Sequence, residues 1–375
     1  MTLTRRNFVL GIIAALFGKN PIQAASHVLE SATSAGWFSS PEINGAVLDV
    51  CHGSERYTKA YGSAGTPERV FMIASISKPI VATAAMILKD RGQVRLEDSA
   101  GRFLHEFRGE GRDDVTIQNL LTHTAGLPDT IPDLYQLQAR QAGLVEFFES
   151  TCRVPLLFKP GSAVSYSNLG VLVVKEIIER VTASPLKEFL KHEVFEPLQM
   201  SATSLGLEGA AVRSAAQIQL DAQSKSQDAY HRQLGTPWGG VHSTASDMIR
   251  FLKYFIHPAG PPLKPETAQE MRQNHCRGLN QPWGIGWMLS KSHDVIYKIS
   301  PKWQRYRWTV FSNPEHGAAF GAQCSADTFG HYGVLGTIAW ADPKRDLSMV
   351  LLTTKPVRYS REGVLGEVSD LVSRL

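Results

Sequence analysis

Several features that would narrow the function of this chain are missing from its sequence. No apolar run reaches the roughly 18 residues of an ordinary membrane span. Cysteine is scarce: Cys51, Cys152, Cys276 and Cys324 are scattered along the chain, too few for a disulfide-built scaffold. None belongs to a C-x-x-C pair, which argues against a zinc site. One or two disulfides and four free thiols both fit the spacing. No repeat of about 20–50 residues and no low-complexity tract stands out. Charge of one sign is also lacking. Lys and Arg number 39 against 35 Asp and Glu, a formal +4, which leaves no nucleic-acid footprint. The remainder is ordinary globular composition in 375 residues, 43% of them hydrophobic. That is enough for one large domain or two medium ones.

The first stretch reads as an address. Arg5 and Arg6 stand directly ahead of the apolar run Phe8 to Phe17, and Gln23-Ala24-Ala25-Ser26 is a small-residue cleavage zone. With Phe8 two positions after the arginine pair, the pattern resembles a bacterial twin-arginine signal more than a general secretory one. Residues 1–25 are therefore expected to be an export signal, and the protein periplasmic or otherwise exported. Without Arg5, Arg6 and Lys19 the chain has 36 basic and 35 acidic residues. The slight basicity belongs to the signal.

β-Prone segments lie at both ends. Ala46 to His52 and Tyr57 to Gly62 flank a turn, and Thr337 to Ala341 and Leu347 to Thr354 flank Asp342-Pro343-Lys344-Arg345-Asp346. Val364, Leu365, Val368, Leu371 and Val372 share one face of a final helix. The middle is helical. Ile80 to Leu88 is apolar nearly all round, as for a helix buried on every side, and Gly92 is its natural stop. Leu169, Val173, Ile177 and Val181 recur every fourth residue. Ser184-Pro185 has the chemistry of a cap and first-turn proline, and Thr244 to Asp247 opens another helix. The expected fold is α/β (α+β): an antiparallel sheet built from both chain ends (about 40–90 and 280–375), flanked by helices, with an inserted helical lobe (about 91–279). Residues 26–375 would form this one domain, with a site in the cleft between sheet and lobe.

Three short groups carry chemistry. In Ser75-Ile76-Ser77-Lys78 the serine and lysine lie one turn apart, and Pro79 favours a first helical turn. A serine hydroxyl needs a partner to take its proton, and a desolvated lysine can be that partner. Taken alone, Ser75 is better explained as a cap or core hydroxyl; Ser184 to Lys187 repeats the spacing. Tyr166-Ser167-Asn168 is the only Y-x-N. A tyrosine near cations can act as a base, and an asparagine can donate to a carbonyl, although packing and capping are the plain alternatives. Third is His331-Tyr332-Gly333, where Gly330, Gly333 and Gly336 permit close backbone approach and His331 is placed to donate to a substrate oxygen.

Their order, together with Leu120-Leu121-Thr122-His123-Thr124-Ala125-Gly126-Leu127-Pro128, Gly239-Gly240 and Ser243 to Asp247, resembles the serine β-lactamase and penicillin-binding-protein superfamily. The nearest look is to class C β-lactamases, family VIII carboxylesterases and D-alanyl-D-alanine peptidases. The resemblance runs from about Gly45 to Thr354 and is poorest from Tyr297 to Cys324. It implies a β-lactamase/transpeptidase-like fold, Ser75 as acylated nucleophile, Lys78 as proton relay and Tyr166 as base. It further implies Asn168 holding Lys78 and the substrate, and an oxyanion site at the N–H groups of Ser75 and Val334. It needs no metal and no organic cofactor.

One departure bears on substrate. β-Lactamases of this kind carry Lys-Thr-Gly where this chain has His331-Tyr332-Gly333. A histidine of ordinary pKa is mostly neutral at pH 7, so it holds a carboxylate less well and tolerates a neutral ester. An exported serine hydrolase acting on small esters is expected. The alternatives are a class C-like β-lactamase or D-alanyl-D-alanine carboxypeptidase acting on β-lactams or cell-wall peptides, and a non-catalytic peptidoglycan-binding homologue. Basic and aromatic residues alternate from Tyr297 to Trp308, which is expected to be an exposed strand or cleft wall rather than a nucleic-acid surface. Arg5→Lys combined with Arg6→Lys should stop export, as read by fractionation of expressing cells; normal export would refute the twin-arginine reading.

Overall fold

Segments from opposite ends of the chain build one sheet. The structure is a computed structural model describing residues 20–33, 43–208, 229–290, 320–354 and 364–375. Helix α1 (Pro21–Thr33) precedes strands β1 (Gly45–His52) and β2 (Glu55–Gly62). A short strand β3 (Phe71–Met72) and a 3₁₀ turn (Ala74–Ile76) lead into α2 (Ser77–Asp90). The lobe contains α3 (Ile117–Leu121), α4 (Leu134–Ala139), α5 (Leu144–Thr151), α6 (Asn168–Thr182), α7 (Leu186–Leu190), β4 (Ser204–Leu205), α8 (Ala229–Leu234), β5 (Val241–Ser243), α9 (Ala245–Ile256) and α10 (Pro265–Met271). The chain then returns through β6 (Met288–Leu289), β7 (Phe329–Gly333), β8 (Thr337–Asp342) and β9 (Leu347–Thr353), and α11 (Val364–Val372) follows.

The main sheet is antiparallel in the order β2-β1-β9-β8-β7-β6. Leu48 of β1 sits opposite Leu351 of β9, so the two ends of the chain meet at the sheet's centre. Alternation of side chains sorts the strands into two cores. Leu48, Val50, Ile338, Trp340, Met349 and Leu351 pack with α1 and α11. Val47, Ala339, Ala341, Val350 and Leu352 pack with α2, α6 and α9 on the other face. Helices on both faces explain why β8 and β9 are buried along their whole length.

Helix α2 is buried at every position from Ser77 to Leu88, as its unbroken apolar sequence requires. Thr244 caps α9 by accepting the Asp247 N–H at 3.1 Å. Helix α7 departs from expectation by one residue. Pro185 occupies the cap position, and the Leu186 N–H is met by Glu179 Oε1 at 2.8 Å, so Ser184 does not cap. A small sheet, β3-β5-β4, ties the strand before the 3₁₀ turn to two strands of the lobe and has no counterpart in the sequence reading.

The zone Gln23 to Ser26 lies within α1, where Ala24, Ala25 and Ser26 are buried. All four cysteines are free thiols. The basic and aromatic stretch 297–308 lies outside the described residues. Among the described residues no helix is long and apolar enough to cross a membrane. Trp340 joins the sheet to α11: it is fully buried, and its Nε1–H donates to Ser369 Oγ at 2.9 Å. Trp340→Ala should lower unfolding free energy by about 3–5 kcal/mol, measured from the denaturant midpoint; a loss below ~1 kcal/mol would contradict this packing.

Candidate active site

Ser75 sits at the middle of the 3₁₀ turn, immediately after Ala74, whose φ of +50° lies in the left-handed region. A non-glycine residue held there stores about 1–2 kcal/mol, so the neighbours must fix it. Ser77 Oγ donates to the Ala74 carbonyl at 2.7 Å and accepts the Val241 N–H at 3.1 Å. The Ile73 N–H donates to the Val241 carbonyl at 2.9 Å, and Thr337 Oγ1 donates to the Ile73 carbonyl at 2.9 Å. The turn is thus pinned by the small sheet on one side and the main sheet on the other.

The tight turn brings Lys78 back to Ser75. Lys78 Nζ lies 3.1 Å from Ser75 Oγ and donates to the Trp238 carbonyl at 2.9 Å. The side chain is 2% exposed, and Nζ stands 4.7 Å from the centroid of the Tyr166 ring. That ring is buried among His123, His331 and Trp283, with centroids at 4.7, 6.0 and 6.1 Å. The structure therefore brings Ser75, Lys78, Tyr166 and His331 into one cluster.

Strand alternation puts His331 and Gly333 on the face of β7 that carries Phe329. His331 is 1% exposed. Its Nδ1 faces the Tyr332 carbonyl at 2.7 Å, a contact that only an N–H can make, so Nδ1 is the donor. Nε2 is then a bare acceptor, buried and without a hydrogen-bond partner. This corrects the expectation that His331 donates to a substrate oxygen: the locked tautomer offers a lone pair instead. Burial, and secondly the charge of Lys78, push the His331 pKa well below the usual histidine value. Gly333 closes against the turn. A Cβ there would stand 2.3 Å from Thr337 Oγ1 and 2.6 Å from the Ile73 carbonyl oxygen. Val334 follows at the exposed tip of the β7–β8 turn.

Asn168 opens α6, but its amide oxygen is buried with no hydrogen-bond partner. The expected grip of that oxygen on Lys78 is not made; the lysine uses the Trp238 carbonyl. The Asn168 N–H donates to Asp129 Oδ1 at 3.2 Å. Asp129 is only partly exposed; loss of solvation raises its pKa, opposed by the charge of Lys78 and by that N–H. Trp238, His123 and Asp129 were given no role by the sequence reading. Gly239-Gly240 and the Leu120–Pro128 run point to their neighbourhoods, but a main-chain acceptor has no signature in side-chain chemistry. Among the described residues no group of three or more His, Cys, Asp or Glu is placed to hold a metal ion.

This geometry can be set against known proteins. A family model described as Beta-lactamase matches residues 31–369. The chain belongs to the beta-lactamase family. Esterase EstB of Burkholderia gladioli is 30% identical over 366 residues, covering 82% of this chain and 85% of its own. Penicillin-binding protein 4* of Bacillus subtilis is 26% identical over 309 residues, covering 73% of this chain and 66% of its own. The solved structure of EstCE1, described as a hydrolase with promiscuous acyltransferase activity, superposes with a TM-score of 0.73 at 20% identity, covering 96% of this chain and 100% of that one. The protein is a serine hydrolase of the beta-lactamase family, with its β-lactamase/transpeptidase fold.

The contact of Gly333 with the serine turn gives a sharp test. Gly333→Ala should lower kcat/KM for any acyl substrate by roughly a hundredfold, the scale of a 1 Å misplacement, with far-UV circular dichroism retained. Wild-type activity in that variant would show that β7 does not set the turn.

Proposed function

We propose that this protein is an exported esterase that cleaves small neutral esters through an acyl-enzyme on Ser75. The observation that supports the chemistry is the 3.1 Å contact of Lys78 Nζ with Ser75 Oγ in a buried setting. Ser75 Oγ attacks the ester carbonyl while its proton passes through Lys78, which stays a cation, to the Tyr166 phenolate that this charge favours. The negative oxygen of the tetrahedral intermediate is held by the N–H groups of Ser75 and Val334. Collapse expels the alcohol, which takes a proton through Lys78 and Tyr166. Water then attacks the acyl-enzyme, with Tyr166 as base.

Preference for esters over β-lactams is supported by His331. A buried neutral imidazole with an unpartnered acceptor offers no charge and no donor to a substrate carboxylate. Burying that carboxylate beside it is costly without a partner. The esterase relative is consistent with this reading. Hydrolysis of β-lactams or cell-wall peptides is the second reading, supported by the penicillin-binding-protein relative. Export rests on the signal pattern of residues 1–25 alone, and its small-residue zone lies within α1 here.

A fluorophosphonate probe should label Ser75, and Ser75→Ala should abolish both labelling and hydrolysis of p-nitrophenyl butyrate; undiminished hydrolysis sinks the proposal. Nitrocefin should have much the lower kcat/KM. The sign of the pH effect follows from the depressed pKa of His331: acidification through about pH 6.5, where an ordinary histidine gains its charge, leaves His331 neutral. The ester-to-nitrocefin ratio should therefore stay flat between about pH 8 and 5.5. A ratio that falls on acidification, or one that favours nitrocefin throughout, overturns the ester reading.

A further inference from the structure

The loop that carries Tyr166 is held mainly from outside, at Val164 by Asn280, which pairs with both its main-chain groups at 2.7 and 3.1 Å, and elsewhere by one segment. It hangs on the segment 123–128 by five hydrogen bonds. The N–H groups of Leu157, Gly161 and Ser165 donate to the carbonyls of Gly126, Thr124 and His123 at 2.7, 2.8 and 2.8 Å. Ser167 Oγ donates to the Pro128 carbonyl at 2.8 Å. The fifth bond alone uses a side chain of that segment: the Ser167 N–H donates to His123 Nδ1 at 3.2 Å. His123 thus grips the residue on each side of Tyr166, Ser165 through its carbonyl and Ser167 through its ring. The same ring packs on Tyr166 with centroids 4.7 Å apart and meets Trp283 edge-on at 4.9 Å.

Two further facts bear on this residue. His123 is 3% exposed and has φ +59°, a left-handed conformation that costs a non-glycine residue about 1–2 kcal/mol. That conformation aims carbonyl and imidazole at the same loop. The ring must also be unprotonated at Nδ1 to accept from Ser167. Burial first, then the charge of Lys78, push its pKa well below the usual value. A protonated ring would lose the acceptor and place a second cation beside Lys78. The titratable groups around it are Lys78, Tyr166 and His331, with Asp129 at the far side of the same loop.

We propose that His123 is a positioning residue for Tyr166: its imidazole fixes both the backbone and the ring plane of the tyrosine against Lys78. The proposal rests on the reading of Tyr166 as the base. It gives the characteristic Leu-Thr-His-Thr-Ala-Gly-Leu-Pro run a task, that of a template for the tyrosine loop. Gly126 fits the same role, since at φ +79° a Cβ would stand 2.3 Å from the Phe158 carbonyl oxygen of that loop.

The test is a double-mutant cycle read as single-turnover acylation and deacylation with p-nitrophenyl butyrate. His123→Phe keeps a ring against Tyr166 but leaves the Ser167 N–H without an acceptor. His123→Asn keeps an acceptor oxygen in the place of Nδ1 and tolerates the left-handed backbone, but loses the ring. With Tyr166 present, His123→Phe should slow deacylation by roughly a hundredfold, the scale of a misplaced base, with the half-saturation of the acylation phase little changed. His123→Asn should recover at least tenfold of that loss. In the Tyr166→Phe background both substitutions should cost less than about threefold, because little is left to position. Equal factors in the two backgrounds would reduce His123 to a packing residue and overturn the proposal. If His123→Phe does not fold, the cycle with His123→Asn applies the same criterion. Full activity in Ser75→Ala or Tyr166→Phe would defeat the proposed function itself, a result distinct from equal factors, which defeat only the role of His123.

Discussion

Lys78 has to be buried without being left unpaired, and most of the site follows from that constraint. An amine 2% exposed loses nearly all its water, a cost of several kcal/mol for an ammonium unless acceptors replace it. The replacements are specific: Ser75 Oγ, the Trp238 carbonyl and the face of the Tyr166 ring. The first requires the 3₁₀ turn, because only a tight turn folds Lys78 back onto Ser75. The second requires the segment before β5 to pass close by, which the small sheet and Ser77 Oγ enforce. The third requires the tyrosine loop to be held firmly, which segment 123–128 does. No one of these contacts is strong, but removing any leaves a buried cation short of an acceptor, so the three are not independent.

The same constraint reaches the two histidines. A second positive charge within the cluster would meet Lys78 in a region of low dielectric, where like charges repel most strongly. His123 and His331 are accordingly neutral, and each has one nitrogen committed by backbone, His123 as acceptor and His331 as donor. His242 shows that burial alone has the same direction of effect: lying at β5, it is pushed down to about 4, chiefly by desolvation. At His331 the tautomer is chosen by the Tyr332 carbonyl rather than by any substrate.

How much of this was legible in sequence depended on whether a feature has a period or a residue type. Strands β1, β2, β8 and β9 and helices α2, α6, α9 and α11 were readable because their apolar spacing repeats over several residues. The strands β3, β4 and β5 span two or three residues, too few for any period, so the small sheet was invisible. Helix α7 began one residue late because Glu179, seven positions from Leu186 in sequence, supplied the acceptor expected of Ser184. In the site, Ser75, Lys78, Tyr166 and His331 were found by side-chain type and order. The Trp238 carbonyl was not, since every residue has a carbonyl and only the fold decides which one is used. Asn168 was assigned a lysine contact by analogy, whereas its amide oxygen has no partner here.

The third group shows where reading by residue type stops. Histidine in place of lysine correctly signals the loss of a fixed charge. It does not say which nitrogen is committed, because that depends on a carbonyl one residue away along the strand. With Nδ1 committed to Tyr332, the site gains an acceptor where the resemblance implies a donor. In the proposed reading a substrate carboxylate would meet that lone pair, whereas an ester alkoxy group carries no charge for it to repel. In the proposed ester reading, selectivity comes from the pairing of His331 with its own backbone as much as from the identity of the residue. It also explains why the departure is tolerated: a neutral ring satisfied on one side adds no charge to a cluster already built around one buried lysine.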